Sequence, residues 1–326
     1  MSVPLPVGVI GVGALGWHHA RHLAALPGAA LVGVYDIRPD RARFVAGSLG
    51  VRAFPSREAL LAASRAVTIA VPTTSHAEVG AAALEAGVPV LMEKPLTATL
   101  AEAERLVELA ERRGLQLQVG HIERFNRAIR AAEGYLDHPL FIEGERLAPF
   151  QERGTDVPVV LDLMIHELDL ILHLTGGAEA LDVRANGATV LSPHLDVAHA
   201  RVEFAGGTVA SVTASRIAET RVRKLRIYQE EGYLSLDLAT GGGEFLRLRH
   251  RWQPGHAASL KEVVERIPLE AHAADALGLE LASFVHAVRG ERDVVVTGRE
   301  GLAALRLAVQ VTEAVRDASI APAQEP

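Results

Sequence analysis

The chain has 326 residues, 49% hydrophobic and 22% charged, which is enough for about two globular domains and too apolar for a disordered protein. The formal net charge of -7 gives nucleic acid no footing as a partner. Cysteine is absent, which excludes disulfides, thiolate metal sites and a cysteine nucleophile, and makes a reducing compartment, the cytoplasm, the expected location.

Val7, Val9 and Ile10 read as a buried strand. The apolar run around them is broken by glycine and follows no basic region, so it is a strand and turn and not a signal peptide. No run approaches the ~20 apolar residues of a membrane span. Gly11, Gly13 and Gly16, with Ala14 and Leu15 among them, spell G-x-G-x-x-G ahead of a helix from Trp17 to Leu26. Gly11 permits a tight turn, Gly13 leaves room for a pyrophosphate, and Gly16 lets the helix lie close to the strand. The helix start offers free N–H groups to the phosphates. A second strand, Ala30 to Tyr35, delivers Asp36, where a carboxylate can bind an adenosine ribose and repel a 2′-phosphate. That favours NAD over NADP, although Arg38 could receive such a phosphate.

A helix (Pro39 to Leu49), a strand (Val51 to Phe54) and a helix (Arg57 to Ala63) follow. The strand Val67 to Val71 breaks at Pro72 and Thr73, before a helix from His76 to Ala86. The strand Val88 to Met92 runs into Glu93-Lys94-Pro95. Thr97 is the expected cap of a helix ending at Arg113, and Leu115 to Gly120 is a sixth strand. Such alternation predicts a parallel, doubly wound sheet with ligands beyond the strand C-termini. Later come a helix from Arg124 to Glu133, an extended stretch from Pro139 to Glu145, and a long helix from Val159 to Leu174. A meander of strands fills Leu181 to Leu248, turning at Gly206-Gly207 and Gly232. Helices near Ala273 to Arg289 and Arg299 to Ala318 precede a tail from Ala321 that is expected to fray. The fold class is an α/β Rossmann dinucleotide-binding domain (1–121) plus an α+β domain (122–326) with a large open, mainly antiparallel sheet. An exposed apolar face at Val209, Val212, Leu225 and Ile227 would make the protein a homodimer or homotetramer.

Pro95 biases Lys94 toward an extended backbone at a strand end. In a dry cleft beside a cationic ring, an amine loses its proton more easily and can polarise or deprotonate an alcohol. The plain alternative is a surface lysine or an ion pair with Glu93. Asp162 and His166 stand at i and i+4, one face of a helix, where a carboxylate can orient an imidazole for proton transfer. They could equally be structural. Adding Asp169 and His173 gives no recognised metal motif, so no metal is expected. His18 and His22, one turn apart without a carboxylate, read as structural or surface groups.

These residues together resemble the glucose–fructose oxidoreductase / inositol dehydrogenase (Gfo/Idh/MocA) family. The carrying motifs are Gly11-x-Gly13-x-x-Gly16 with His19-Ala20, Val71-Pro72-Thr73 with His76, Glu93-Lys94-Pro95, and Asp162-x-x-x-His166. The resemblance implies NAD(P) bound by these first three motifs and hydride transfer at a secondary alcohol of a sugar or cyclitol. It implies Lys94 and His166 as the acid–base pair and Asp162 as the orienting group. The segment Gly120-His121-Ile122-Glu123-Arg124-Phe125-Asn126 is similar to that of members oxidising C3 of UDP-linked N-acetylhexosamines, with Arg127 in place of a proline. It puts Glu123, Arg124 and Asn126 near substrate, unless they brace the domain junction. Free sugars or inositols are the alternative substrates, and a non-catalytic NAD sensor is the alternative class.

Overall fold

The structure, a computed structural model, describes residues 3–151, 155, 157–249, 259–270 and 275–320. Ala273 and the tail from Ala321 lie outside the described residues. The chain forms two compact units: Met1–Phe125 with Ala274–Leu302, and Asn126–Ala273 with Ala303–Pro326. The sequence suggested one boundary, at 121; the first unit instead takes back a later segment.

In the first unit strand and helix alternate: β1 (Leu5–Ile10), α1 (Ala14–Ala25), β2 (Ala29–Tyr35), α2 (Pro39–Leu49), β3 (Arg52–Ala53), α3 (Arg57–Ala63), β4 (Ala66–Ile69), α4 (His76–Glu85), β5 (Val90–Glu93), α5 (Leu100–Arg113) and β6 (Leu117–Gly120). The order is β3-β2-β1-β4-β5-β6, with every pair parallel. The order reverses between β1 and β4, the place where doubly wound sheets hold ligands. All four residues of β4 and of β6 are buried, as expected of strands with helices on both faces. The cap of α5 is Thr99, not Thr97. Thr99 and Glu102 form a reciprocal capping box, while the Thr97 hydroxyl donates to the Thr99 carbonyl.

The second unit holds α6 (Arg127–Ala132), β7 (Phe141–Leu147), a π-helical turn (Val160–Met164) leading into α7 (Ile165–Leu174), β8 (Ala180–Ala188), β9 (Val197–Phe204), β10 (Val209–Ser215), β11 (Val222–Gln229), β12 (Gly232–Asp237), β13 (Gly242–Leu248), α8 (Leu260–Val263) and β14 (Val264–Pro268). Its sheet runs β14-β13-β12-β11-β7-β10-β9-β8, antiparallel except for the parallel β7–β10 pair. The expected apolar outer face is not there. Val212, Leu225 and Ile227 are fully buried in one core with Met164, Ile165, Leu168 and Val311, because the helices cover that face. Val209 alternates onto the other face, which carries Glu143, Glu145, Thr213, Arg226 and Tyr228.

The chain re-enters the first unit with α9 (Ala276–Val288), capped by Asp275, and the start of α10 (Gly298–Ile320). Leu281, Phe284 and Val285 of α9 join a core with Val7, Val9, Ala20 and Leu23. No described helix is long and apolar enough to cross a membrane.

Candidate active site

The three glycines of the first turn do different work. Gly11 has φ +80°, and a Cβ there would lie 2.7 Å from a methyl of Val71. At Gly16 a Cβ would lie 1.8 Å from the Gly11 carbonyl oxygen, so α1 can approach β1 this closely only with glycine. At Gly13 a Cβ would meet nothing within 4 Å. Open space there, exposed Ala14 and Leu15 at the start of α1, and first-turn N–H groups without intrahelical acceptors fit a pyrophosphate.

Asp36, 8% exposed at the end of β2, accepts from the Val12 N–H at 2.9 Å and the Arg38 N–H at 2.9 Å. The Arg38 side chain is 69% exposed, its Nε 3.6 Å from the same carboxylate. Arg41, which the sequence reading passed over, holds the glycine turn from α2: its Nε donates to the Val12 carbonyl at 2.6 Å and a terminal nitrogen to that of Gly13 at 3.2 Å. Its place in the first turn of the helix after Asp36 was the available signal.

Glu93, Lys94 and Pro95 leave the end of β5, with the Lys94–Pro95 peptide cis. Glu93 Oε1 lies 2.8 Å from His19 Nε2, and Oε2 accepts from the Lys94 backbone N–H at 3.2 Å. Burial alone would raise the Glu93 carboxyl, but the hydrogen bond and charge of His19 and the charge of Lys94 outweigh it and hold it below the usual range. His76, 1% exposed, has Nδ1 2.8 Å from the Pro95 carbonyl and Nε2 3.0 Å from that of Val71. Its ring lies between the turn after β4 and the turn after β5, and burial keeps it below the ordinary histidine value, so the neutral imidazole donates to one of these two carbonyls. Val71 and Thr73 are half-buried and Pro72 is exposed.

After β6 the short turn Ile122–Phe125 buries Glu123 and Arg124. Arg124 pairs with Glu300 at 3.2 Å. Asn126 caps α6, accepting from the Ala128 N–H at 3.0 Å and donating to the Leu238 carbonyl at 2.9 Å.

In the second unit Asp162 and His166 are both half-buried, but not on one regular α-helix. Asp162 sits in the π turn and His166 in the first turn of α7. Such turns inside helices are frequent at functional sites. The neighbouring Glu167 is fully buried, both its oxygens within 2.8 Å of Arg146 Nε on β7. Among the described residues no group of three or more His, Cys, Asp or Glu side chains is placed to hold a metal ion. His22 pairs with Asp275 at 3.2 Å.

A family profile described as "Oxidoreductase family, NAD-binding Rossmann fold" matches residues 5–121, and one described as "Oxidoreductase family, C-terminal alpha/beta domain" matches residues 144–322. The chain belongs to the Gfo/Idh/MocA oxidoreductase family. A UDP-N-acetylglucosamine 3-dehydrogenase of Acidithiobacillus ferrooxidans is 40% identical over 317 residues, 96% of this chain and 98% of that one. A solved structure of a UDP-N-acetylglucosamine 3-dehydrogenase from that organism matches with a TM-score of 0.88 at 38% identity, covering 97% of this chain and 99% of the other. The scyllo-inositol 2-dehydrogenase (NAD(+)) of Bacillus subtilis is 28% identical over 329 residues, 95% of this chain and 93% of its own. The Gfo/Idh/MocA match spans both units, so the Rossmann sheet and the larger mixed sheet are one oxidoreductase architecture.

Proposed function

We propose that this chain is an NAD-dependent dehydrogenase of a sugar secondary alcohol, acting at C3 of a UDP-linked N-acetylhexosamine. The observation that carries this is 40% identity to the A. ferrooxidans enzyme across nearly the whole of both chains. Gly11–Gly16 would hold the dinucleotide, whose nicotinamide would supply the hydride acceptor. The rest is done by side chains. Asp36 receives the ribose and disfavours a 2′-phosphate, with the exposed Arg38 outside that contact. Val71, Pro72, Thr73, Glu93 and Pro95 border the dinucleotide, with the His76 ring lying between the carbonyls of Val71 and Pro95. Lys94 and His166 remove or return the alcohol proton, and Asp162 orients the imidazole. Glu123, Arg124 and Asn126 border the substrate, with Arg124 and Asn126 also anchored by the contacts above.

The test is reduction of NAD or NADP, followed by nicotinamide absorbance, with UDP-N-acetylhexosamines, free aldoses and inositols. A UDP-sugar with NAD should be the preferred pair. Preference for an inositol would replace the substrate, in line with the B. subtilis relative. Tight NAD binding with no turnover on any of them would make the chain a sensor. Lys94→Ala should lower kcat by about 10²–10⁴ while NAD affinity stays within about threefold. Unchanged kcat would remove Lys94 from the chemistry. We also propose a homodimer or homotetramer in the cytoplasm. The polar outer face of the second unit would be the contact, with Tyr228 stacked on Tyr233 at 5.2 Å and tilted against Phe141 at 5.8 Å. Light scattering reads the mass.

A further inference from the structure

Arg41 stands in the first turn of α2, half-buried and outside the glycine motif. Its Nε donates to the Val12 carbonyl at 2.6 Å and a terminal nitrogen to the Gly13 carbonyl at 3.2 Å. These carbonyls belong to consecutive residues, so one planar guanidinium spans both as a fork. The guanidinium carbon lies 5.6 Å from the ring centre of Phe44, which is one turn further along α2 and 63% exposed. A ring there braces the cation by its negative face, which gives a bulky apolar side chain a reason to stand in solvent. Val12 is held at its other end as well, its N–H donating to Asp36 Oδ2 at 2.9 Å. The Gly13 carbonyl also accepts the first bond of α1, from the Trp17 N–H at 3.1 Å.

A fixed carbonyl fixes the next amide. In a trans peptide the C=O of one residue and the N–H of the following residue point in opposite directions. The only cis peptide among the described residues is Lys94–Pro95, so both peptides of the turn obey this rule. Drawing the Val12 and Gly13 carbonyls toward Arg41 therefore turns the Gly13 and Ala14 N–H groups to the opposite side. Open space at Gly13 and the exposure of Ala14 leave that side accessible. Successive N–H groups facing one way at a helix start are what a phosphate binds. Without the fork, glycine lets the Val12–Gly13 peptide turn over at little cost.

We propose that Arg41 is a positioning residue for the dinucleotide pyrophosphate. It grips the Val12 and Gly13 carbonyls on one side of the turn and so aims the Gly13 and Ala14 N–H groups at the phosphates on the other. The inference rests on the reading of Gly11–Gly16 as the pyrophosphate site. An arginine shortly after Asp36 could instead meet a ribose 2′-phosphate. Here its donors are engaged by the turn, so Arg41 acts alike on NAD and NADP.

Calorimetry on the full chain with NAD, NADP and ADP-ribose tests this, alongside steady-state kinetics. Arg41→Ala should weaken NAD and ADP-ribose by about tenfold and leave the NAD-to-NADP affinity ratio within about twofold of native. KM for NAD should rise by about as much, while kcat at saturating NAD stays within about twofold, a split that general loss of structure would not give. Arg41→Lys keeps the charge but not the fork, and should remain at least about threefold weaker than native for NAD. Hydrogen exchange in the ligand-free Arg41→Ala chain should quicken at residues 12–14 while β4 and β6 stay protected, which reads the grip and the fold together. Unchanged affinity in Arg41→Ala, full recovery in Arg41→Lys, or a larger loss for NADP than for NAD would each overturn the proposal. If Arg41→Ala does not fold, Arg41→Lys decides by the same comparisons. A native chain that binds no ADP-ribose would overturn the pyrophosphate reading itself, and a native chain that binds it with both variants unaffected would overturn only the role of Arg41.

Discussion

Gly13 and Gly16 are three positions apart, yet the same substitution should act on different quantities. Alanine at 16 would drive a methyl into the Gly11 carbonyl, backbone against backbone. The helix preference for alanine is worth about 1 kcal/mol, and the clash about 3 kcal/mol or more, so the clash wins. Gly16→Ala should therefore lower unfolding stability in urea by at least about 2 kcal/mol. Alanine at 13 meets open space and should cost less than about 1 kcal/mol in the same measurement. If the proposed pyrophosphate site is right, it should weaken NAD by about tenfold in calorimetry, equivalent to about 1.4 kcal/mol, because its methyl would fill the open space beside Gly13. Equal effects of the two variants on stability would refute this division. At this scale the sequence was legible where spacing carries meaning. The three glycines and Asp36 stand in the geometry that their spacing implies. Arg41 carries no motif, since its work depends on which element lies opposite it in space.

Helices and loops add a second kind of information. The i, i+4 spacing of Asp162 and His166 suggests a common helix face, but a π turn spends one extra residue before α7 begins. Hydrophobic periodicity cannot show such a turn, because Val160, Met164 and Ile165 are buried all the same. Deleting Leu161 should restore regular α-helix and rotate Asp162 by about 100° relative to His166. Circular dichroism should then be nearly unchanged while kcat falls at least about a hundredfold. Retained turnover would show that the π turn has no part in placing the pair. In the loop before β9, Asp196 is fully buried and accepts the N–H groups of Val190, Leu191 and Ser192 at 2.7–3.0 Å. Burial works to raise its carboxyl, but these bonds prevail and hold it well below the usual range. A depressed folded value means that the unfolded chain binds the proton first. The stabilisation is present above the unfolded aspartate value of about 3.9, and it is lost as pH falls from there toward the folded value. Asp196→Asn should cost about 2 kcal/mol at neutral pH and flatten the acid limb of the stability curve, as read by denaturant melts across pH.

Over the whole molecule, the sheet classes and most helices could be read from periodicity, because each is a local pattern. The division of the chain could not. Nothing local to Leu281, Phe284 and Val285 announces that they complete the core around Val7 and Leu23. Burial of three such side chains is worth about 5–8 kcal/mol, comparable with the whole stability of many domains. Gln118 bonds to Glu280, the Val119 N–H to the Val296 carbonyl, and Arg289 to the carbonyls of Val3 and Gly28, which add backbone closure. A fragment of residues 1–125 should therefore give a broad, non-cooperative melt and no saturable NAD binding, whereas the full chain melts cooperatively. A cooperative fragment that binds NAD would refute this. The same threading sets an order of events during synthesis. A ribosome releases the glycine turn and Asp36 first, yet the half of the protein that carries them stays incomplete until α9 emerges, more than 250 residues later in a chain of 326. Through most of translation the nascent chain therefore exposes a sheet missing one wall, a natural target for chaperones, and it can capture its nucleotide only when elongation is nearly over.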